Sequence, residues 1–489
     1  MKYIKLSVIL LSMLGFAAAG ENLSKDTYIK QVKEGSLLLK SALAAADSSK
    51  KQVEEEKLLT SSWAFAGLQH GVDKSPSVDA IAQIDTRVFD EFTVGIEQRT
   101  DFGISARLSY DVQYYSLEGI HPLSINLGGP VVNLNLITTP KYYSNKLAAE
   151  VKLDLLRNGF GSEVVSTKKA MESKNEAEYF EKMYQAEQVL MQAETAYWEL
   201  ALAREAVKIH EQLLARANQL DTWMQGRIAL NLQDQSDINQ SKSEVQYRKL
   251  ELKGALDAEK SAARALNYLR GRDAENVEET LDLPGEKDLQ AELNNVDPEK
   301  RFDYLALLRN LEAAKAGAAM KKEILKPELS VGVSASLNGA DAGFQTAWGN
   351  SFSTDKYLYG AGINLRVPLD FPADTLSKSY DGEIESLEAY RGAKSLELKT
   401  EWSELNRKLA DVKERLILAV ELERLQKNKA DAERERLTKG NSVTAQVLMF
   451  EQDWSKSQLG VLEIKKGILG IIARLKLFAG PVIYKGEGK

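Results

Sequence analysis

Two long stretches of this sequence contain no proline, and they restrict the fold more than any other feature. One lies between Lys141 and Leu283, and the other lies between Ala373 and Gly480. Since a proline inside a helix costs about 3 kcal/mol, chains that lack it can form very long helices. Both stretches are rich in Ala, Glu, Lys, Leu and Gln, which favour helices. We therefore predict long helices, the first of them over about residues 162–225.

Apolar residues in both stretches recur at alternating spacings of three and four. The two stripes are Ala196, Leu200, Ala203, Val207, His210, Leu214 and Ala217, and Val461, Ile464, Ile468, Ile471, Leu475 and Phe478. This heptad spacing is typical of coiled-coil packing. A helix over 162–225 would be roughly 95 Å long. That length indicates that the helices span a distance rather than fill a compact core.

The N-terminus has the pattern of a secretory signal peptide. Lys2 and Lys5 precede an apolar run from Leu6 to Leu14, and small residues follow up to Ala19. This pattern predicts a signal peptide over residues 1–19. The run is shorter than the roughly 20 residues of a membrane helix, and no later stretch of the sequence qualifies. We therefore expect an exported protein whose only possible membrane-spanning structure is a β-barrel.

Between the helices the period of the apolar residues changes to two. The alternating residues are Leu329, Val331, Val333, Ala335 and Leu337, then Tyr357, Tyr359, Ala361, Ile363, Leu365, Val367 and Leu369. Alternation over about ten residues is the signal of a membrane-barrel strand, although any half-buried strand gives a similar pattern. We predict strands over 327–339 and 355–370, joined by an exposed loop over about 338–355.

The first strand region, about 58–161, is roughly twice as long as the second. The surplus contains a further strand pair, Phe92–Glu97 and Gly103–Tyr114, with a turn at Thr100–Gly103. We predict an extra hairpin over 92–114. Our hypothesis is that it extends or caps the outer end of a barrel.

The chain contains an internal duplication. Arg227, Asn231 and Asp237 align with Arg436, Gly440 and Gln446 at an offset of 209 residues, and Leu266 aligns with Leu475 at the same offset. The pattern predicts two helix–strand–strand–helix repeats, 20–271 and 301–480, with a linker over 272–300 and a tail over 481–489. Each repeat has two helices joined by a tip. The predicted segments are 162–225, tip 226–237 and 238–270, then 378–437, tip 438–446 and 447–479.

Asn231 and Gly440 are predicted to be the tips of two helical hairpins. Both residue types tolerate the left-handed conformation that ends a helix. The alternative is an ordinary corner between two helices of a soluble bundle.

These features together resemble the TolC-like family of outer-membrane efflux proteins, the outer membrane factors, over nearly the whole mature chain. Arg227-x-x-x-Asn231-x-x-x-x-x-Asp237-Ile238 is similar to the family motif R-x-x-x-G-x-x-x-x-x-D-V. The strand that ends at Leu153–Gly161 also resembles the family. The resemblance implies an α+β homotrimer with four strands per chain in one twelve-stranded transmembrane β-barrel. A long α-helical coiled-coil barrel would continue from it across the periplasm to a closed entrance.

The resemblance also implies the function and the partners. The chain would be the passive exit duct of a tripartite efflux pump or a type I secretion system in the outer membrane. Its partners would be a periplasmic adaptor (a membrane fusion protein), an inner-membrane RND or ABC transporter and outer-membrane lipid. It would be no enzyme and need no cofactor or metal.

The resemblance places a set of residues at the entrance: Arg227, Asn231, Asp237, Arg436, Gly440, Ser442, Gln446 and Met449. Family members commonly have Asp at the position of Gln446, and well-characterised ones have Asp at Met449. Among these polar gate positions only Asp237 is kept, so we expect weak block by divalent cations. Asp237 either lines the entrance or caps the following helix. The two arginines either bind a partner or are solvated.

Two other classes of function remain as alternatives. A periplasmic coiled-coil adaptor or scaffold protein is also rich in heptads, but it should contain one hairpin and not two. A secreted hydrolase is disfavoured because the chain has no cysteine, three scattered histidines and no nucleophile motif. The net charge of -7 gives no electrostatic reason to expect binding to nucleic acid.

Overall fold

The computed structural model describes residues 22–75, 83–125, 128, 130–134, 137–228, 235–293, 296–369 and 372–479. The predicted signal peptide, the predicted tail over 481–489 and Asn231 lie outside these residues. The chain divides into two compact units. Unit 1 comprises Met1–Ser48, Tyr179–Leu305 and Gly392–Lys489, and unit 2 comprises Ser49–Glu178 and Ala306–Arg391.

Nine α-helices and ten strands occur in the described residues. The helices are α1 Lys25–Gly35, α2 Leu37–Gln52, α3 Ser162–Ile228, α4 Gln235–Leu269, α5 Glu286–Leu289, α6 Phe302–Ile324, α7 Phe344–Asn350, α8 Ala373–Thr438 and α9 Thr444–Lys476. The strands are β1 Asn22–Leu23, β2 Ser62–Asp73, β3 Gln83–Arg99, β4 Ile104–His121, β5 Leu123–Ile125, β6 Val132–Leu134, β7 Lys141–Asp154, β8 Thr280–Leu281, β9 Glu328–Asp341 and β10 Tyr357–Arg366. Within the described part of the chain, no helix combines the length and the apolar character needed to cross a bilayer.

Two helical hairpins of similar dimensions follow the strand regions. α3 has 67 residues and precedes α4 with 35, while α8 has 66 residues and precedes α9 with 33. α8 begins before the predicted residue 378, because Pro372 provides the first carbonyl acceptor, for the amide of Leu376. α9 likewise begins three residues before the predicted residue 447. The helices therefore extend beyond their predicted bounds at both ends of α8 and at the start of α9.

The core of unit 1 contains two stacked tyrosines. The rings of Tyr28 and Tyr197 lie 5.8 Å apart, and both side chains are fully buried. The Tyr28 hydroxyl donates to the Leu266 carbonyl oxygen at 3.2 Å, and the Tyr197 hydroxyl donates to the Leu23 carbonyl oxygen at 2.8 Å. Burial raises the pKa of both phenols, that of Tyr197 to about 12. These bonds connect α1, α3, α4 and β1 within one core.

A buried arginine at the start of the predicted second repeat, Arg301, bonds to α8. The Arg301 guanidinium lies 2.7 Å from Asp303 and 2.9 Å from Glu401, and its Cζ is 4.6 Å from the centre of the Phe478 ring. Burial lowers the pKa of Arg301, but its hydrogen bonds to Asp303 and Glu401 and the charge of Asp303 outweigh burial, so the pKa is raised. Such planar, two-sided pairing is a property of arginine and not of lysine.

Unit 2 contains one six-stranded antiparallel sheet with the order β10-β9-β7-β4-β3-β2. The sheet therefore has two strands more than the four per chain that the resemblance implied. The predicted extra hairpin is longer than 92–114, because β3 and β4 together cover 83–121. It does not cap an end of the sheet. It lies between β2 and β7, and its turn at Thr100–Gly103 contacts Asn158 beside the start of α3.

The hairpin lies there because its residues match both neighbours in length and register. β3 pairs with β2 from Ser62↔Gln98 to Asp73↔Arg87, and β4 pairs with β7 from Ile104↔Leu153 to Ser116↔Lys141. Lys168 lies 2.7 Å from Asp101 in the turn, which holds the turn against α3. Extra strands inside a sheet gain two sets of ladder hydrogen bonds, whereas a cap would gain none.

The two faces of the sheet differ in polarity. Directly paired residues share a face, and one row across all six strands is entirely apolar: Tyr359, Ala335, Ala149, Leu108, Ile96 and Ala64. The next row lies on the opposite face and contains Gly360, Ser334, Glu150, Arg107, Glu97 and Trp63. Side chains of the apolar face are exposed along the edge strand, including Tyr359 at 76% and Ile363 at 73%.

A short helix packs on the apolar face of the sheet, within the segment that was predicted to be a loop. α7 places Trp348 against Tyr110, with ring centres 4.6 Å apart, and Phe352 stacks on the same tyrosine at 5.9 Å. Gly339 allows this approach, since a Cβ there would lie 2.2 Å from the Ala347 carbonyl oxygen. The result is a cluster of partly exposed aromatic rings on this face.

Candidate functional site at the helix tips

The tip of the second hairpin is a helix end closed by glycine. Gly440 has a φ of +75°, and its amide donates to the Leu437 carbonyl oxygen at 3.0 Å. The amide of Asn441 donates to the Arg436 carbonyl oxygen at 2.9 Å. These two bonds form a Schellman motif, which requires a residue in the left-handed conformation after the helix. The structure thus places Gly440 at the hairpin tip.

A buried carboxylate holds the residues on both sides of this tip. Glu433 is 5% exposed, and it accepts hydrogen bonds from the Ser442 hydroxyl and from Arg436, the latter at 3.2 Å. Arg436 also donates to the Asn441 carbonyl oxygen at 3.5 Å. Two of the predicted site residues, Arg436 and Ser442, are therefore brought together by a residue that the sequence did not single out. Its only sequence signal is the spacing of three residues before Arg436.

Gln446 and Met449 lie in the first two turns of α9 and are both exposed. They are three residues apart, so they occupy the same side of the helix. The other side is buried, since Val447 is 1% exposed and the Thr444 hydroxyl lies 3.5 Å from the Met224 sulfur on α3. In these two turns, this side of α9 therefore presents one amide and one thioether and no charge.

The first hairpin tip joins α3 to α4. Arg227 lies in the last turn of α3 and Asp237 in the first turn of α4, and their side chains lie outside the described residues. Next to this tip, Asp221 accepts a hydrogen bond from the buried Ser241 hydroxyl at 2.6 Å. This bond connects α3 to α4 one to two turns away from the ends of the two helices.

The two hairpins are connected by a charged network that the sequence did not predict. Glu451 on α9 lies 3.0 Å from Arg216 on α3 and also bonds to Arg434 on α8. The Cζ of Arg216 is 4.1 Å from the centre of the Trp454 ring. Burial lowers the pKa of Arg216, and the charge of Glu451 opposes that effect. Removing one partner from such a buried pair typically costs about 3–5 kcal/mol, so the network holds α9 against α3.

A cavity of about 190 Å³ lies beside this network, between α3, α4, α8 and α9. Arg216, Arg248 and Arg434 line it, together with Glu244 and Glu451. Arg248 is buried and bonds to Glu244 at 2.6 Å and to Glu251 at 2.7 Å. Apolar side chains line the cavity as well, including Leu213 on α3, Leu437 on α8 and Val447 on α9, so charged and apolar groups together join the helices here.

His210 lies in the predicted heptad stripe and is buried. Its Nδ1 is 3.9 Å from Glu251, and burial, together with Arg248, lowers its pKa. Within the described ranges, no group of three or more His, Asp or Glu side chains is placed to hold a metal ion.

Comparison with solved structures identifies the fold. The chain is similar to the outer-membrane protein VceC of Vibrio cholerae with a TM-score of 0.66 and 13% identity, over 93% of this chain and 96% of that one. It is similar to the outer-membrane channel CmeC of Campylobacter jejuni with a TM-score of 0.65 and 12% identity, over 98% of this chain and 94% of that one. It is similar to the open state of the MtrE channel of Neisseria gonorrhoeae with a TM-score of 0.61 and 15% identity, over 93% of this chain and 89% of that one.

The sequence by itself gives no such match. Neither protein-family profiles nor curated protein sequences match the chain. The structural similarity extends over nearly the full length of each compared chain, although only 11–15% of the residues are identical. The chain therefore has the fold of the TolC-like outer-membrane channels. The mixed helix-and-strand fold that the sequence resemblance implied is confirmed, whereas the closed barrel and the trimer stay predictions.

Proposed function

We propose that the chain is one subunit of a homotrimeric outer-membrane channel that extends into the periplasm. The channel would be the exit duct of a tripartite efflux pump or of a type I secretion system. The observation that carries this proposal is the exposed apolar face of the six-stranded sheet. Monomeric soluble proteins rarely expose apolar patches above a few hundred Å², and this face continues across every strand of the sheet. Lipid is the solvent that such a face requires.

The edges of the sheet support an assembly of several chains. β2 and β10 are the end strands of the sheet in the described part of the chain. In a membrane every backbone N–H and C=O group needs a partner, so a sheet with two open edges must close. We infer that β10 of each subunit pairs with β2 of the next. Three chains with six strands each give an even number of antiparallel strands, eighteen, a size at which barrels leave an aqueous channel.

The hairpin tips form the proposed entrance of the duct. Opening moves the α8–α9 hairpin away from α3, as the blades of an iris move apart. The bonds from Glu451 to Arg216 and Arg434 oppose this movement, because they connect the two hairpins close to the tips. The tip side chains Gln446 and Met449 make the constriction neutral, which supports weak block by divalent cations.

The duct is passive and is not an enzyme in this proposal. An inner-membrane RND or ABC transporter supplies the energy, and a periplasmic adaptor connects it to the tips, where Arg227 and Arg436 are candidate contacts. The described residues include no group placed to hold a catalytic metal.

The test begins with fractionation of cells and extraction of the outer membrane in mild detergent. We expect a particle with the mass of three mature chains, measured by light scattering. A soluble monomer released with the periplasm would contradict the channel and favour the periplasmic adaptor or scaffold.

Conductance in planar bilayers then tests the mechanism. Glu451→Gln should raise the mean single-channel conductance, because it removes the charge that holds Arg216 and Arg434. Glu463→Gln is the matched control, an exposed glutamate on the same helix. Equal conductance of both variants would contradict the role of the network and leave the trimer as a separate question.

A further inference from the structure

A second cavity, with a volume of about 410 Å³, lies in unit 1 away from the helix tips. Its apolar lining comes from Ile29 on α1, Leu190 and Met191 on α3, and Leu477 after α9. Pockets that bind small molecules have volumes of about 300–1,000 Å³ and mainly apolar walls with a few polar groups. This cavity has the same size and character.

Glu187 on α3 lines the cavity and has no hydrogen-bond partner in the described part of the chain. The residue is 3% exposed, and both carboxyl oxygens are buried. Buried polar side chains are hydrogen-bonded in the large majority of cases, because desolvation without a partner is costly. Burial raises the pKa of the Glu187 carboxyl to about 8. The acid therefore lacks the donor that a ligand could supply.

The other charged groups around the cavity have partners or reach solvent. On α9, Lys476 bonds to both carboxylate oxygens of Glu194 at 2.5 and 2.7 Å. On α1, Lys25 bonds to Asp288 at 3.0 Å, whereas Asp26 and Lys33 are exposed. Burial is the cause of the raised pKa of Glu187, so none of these groups balances its charge.

We propose that this cavity binds an organic ammonium ion with an apolar body, which donates its N–H groups to the Glu187 carboxylate. An ammonium group has three donors and no acceptor, which matches an acid whose two oxygens both lack a donor. Hydrogen bonds between two ionised groups are about twice as strong as neutral ones. The apolar body contacts Ile29, Leu190 and Met191. The proposal does not depend on the proposed channel function.

Binding should release a proton. At pH 7 the free Glu187 carboxyl is mainly protonated, whereas the bound form is ionised and paired with the ammonium. Below about pH 8 the affinity should rise by up to tenfold per pH unit and should level off above that value.

The experiment is calorimetric titration of the purified full chain in mild detergent with 2-phenylethylammonium, at pH 6, 7 and 8. Two buffers with different ionisation enthalpies give the number of protons released. We expect nearly one proton per ligand at pH 6 and 7. Glu187→Gln keeps the shape of the side chain and should weaken binding at pH 8 at least tenfold. Glu181→Gln, an exposed glutamate on the same helix, should bind as the native chain does.

A second probe keeps the proposal open to contradiction. The anion 3-phenylpropionate carries the same apolar body with the opposite charge, and it would bind if the lysines around the cavity governed recognition. Tighter binding of this anion would overturn the proposal. Absence of binding by 2-phenylethylammonium would overturn it as well, and so would equal binding to the native chain and to a Glu187→Gln variant with the same particle mass and circular dichroism.

Discussion

Glu187 and Glu451 are both buried glutamates of unit 1, but their surroundings give them opposite roles. Glu451 bonds to Arg216 and Arg434, so its charge is compensated and it connects two hairpins. Glu187 has neither a cation nor a donor among the described residues. Loss of the first charge should loosen the structure, whereas loss of the second should stabilise it.

Glu187→Gln should change the pH dependence of stability. The pKa of Glu187 is about 8 in the folded chain and about 4.3 in an unfolded one, so the stabilisation by the neutral acid is complete below pH 4 and is lost as pH rises to 8. The loss is about 1.4 kcal/mol per pH unit within that window. We expect the variant to gain stability relative to the native chain by this amount, measured by denaturant unfolding at fixed protein concentration. A constant difference between pH 5 and pH 8 would contradict the prediction.

Glu433→Gln should loosen the tip of the second hairpin. The substitution removes the charged acceptor of Ser442 and Arg436, and hydrogen bonds to charged groups contribute about 1.5–3 kcal/mol. We expect backbone amides of residues 436–446 to exchange with deuterium at least tenfold faster. Glu435→Gln is the control, because the Glu435 side chain is exposed and bonds to Lys439 and not to Ser442 or Arg436. Unchanged exchange in Glu433→Gln would show that the turn at Gly440 is sufficient by itself.

Gln446→Asp should introduce block by divalent cations. In the proposed trimer the substitution creates a ring of three carboxylates at the neutral entrance, and such rings bind cations. We expect millimolar Ca²⁺ to reduce the single-channel conductance of the variant more than that of the native channel. Gln452→Asp places the same charge nearly two helical turns further from the tip and should have a smaller effect. Equal block of all three proteins would place Gln446 away from the constriction.

At the scale of the elements, the alternating strands specify which face meets lipid. Ile363 and Asn364 are neighbours on β10, and both are exposed in the chain, but they lie on opposite faces of the sheet. Sequence alternation predicts this difference, and pairing with Val331 and Ser330 on β9 extends it across the sheet.

Ile363→Arg should impair assembly in the outer membrane, whereas Asn364→Arg should be tolerated. An arginine on the lipid face costs about 2–4 kcal/mol near the middle of the bilayer and little on the face that lines the channel. We expect less trimer from the first variant, measured by heat-dependent migration of outer-membrane extracts in gels. The opposite result would reverse the assignment of the two faces.

At the scale of the whole molecule, the insertion of β3 and β4 changes the size of the proposed barrel. A hairpin that capped the strand ends without pairing in the sheet would leave the number of barrel strands unchanged. A hairpin between β2 and β7 adds two strands per chain. The proposed trimer thus forms a wider barrel, with eighteen strands in place of the twelve that the resemblance implied.

Cross-linking should locate the closing seam between β2 and β10. The chain has no cysteine, so disulfides can form only between the cysteines that are introduced. We expect Ala64→Cys on β2 to form dimers and trimers with one or two members of a cysteine series at 357, 359, 361, 363 and 365 on β10, because disulfides need Cβ atoms about 3.8 Å apart.

Ala149→Cys on β7, in the middle of the sheet, is the control and should give no products between chains with the same series. Products with β7 in place of β2 would mean that β3 and β4 lie outside the wall.

The sequence by itself determined the elements and their periods. Proline-free stretches predicted the long helices of both hairpins, since missing prolines and heptad spacing act within one segment. Gly440 was predicted at a tip for a similarly local reason, the left-handed conformation. The similar fold of the outer-membrane channels agrees with this part of the sequence interpretation.

Only the tertiary structure decided the lateral order of the strands and the partners of the buried charges. Hairpin β3–β4 has the same alternation wherever it lies. The alternation indicates which face of a strand is apolar, and it does not indicate which strand lies beside it. Likewise, no local pattern distinguishes Glu433, Glu451 and Glu187 from the many solvated glutamates of these helices. Their roles follow from residues that are up to 235 positions away in the chain, as Arg216 is from Glu451. Burial and charge pairing at that distance exist only once the helices have packed.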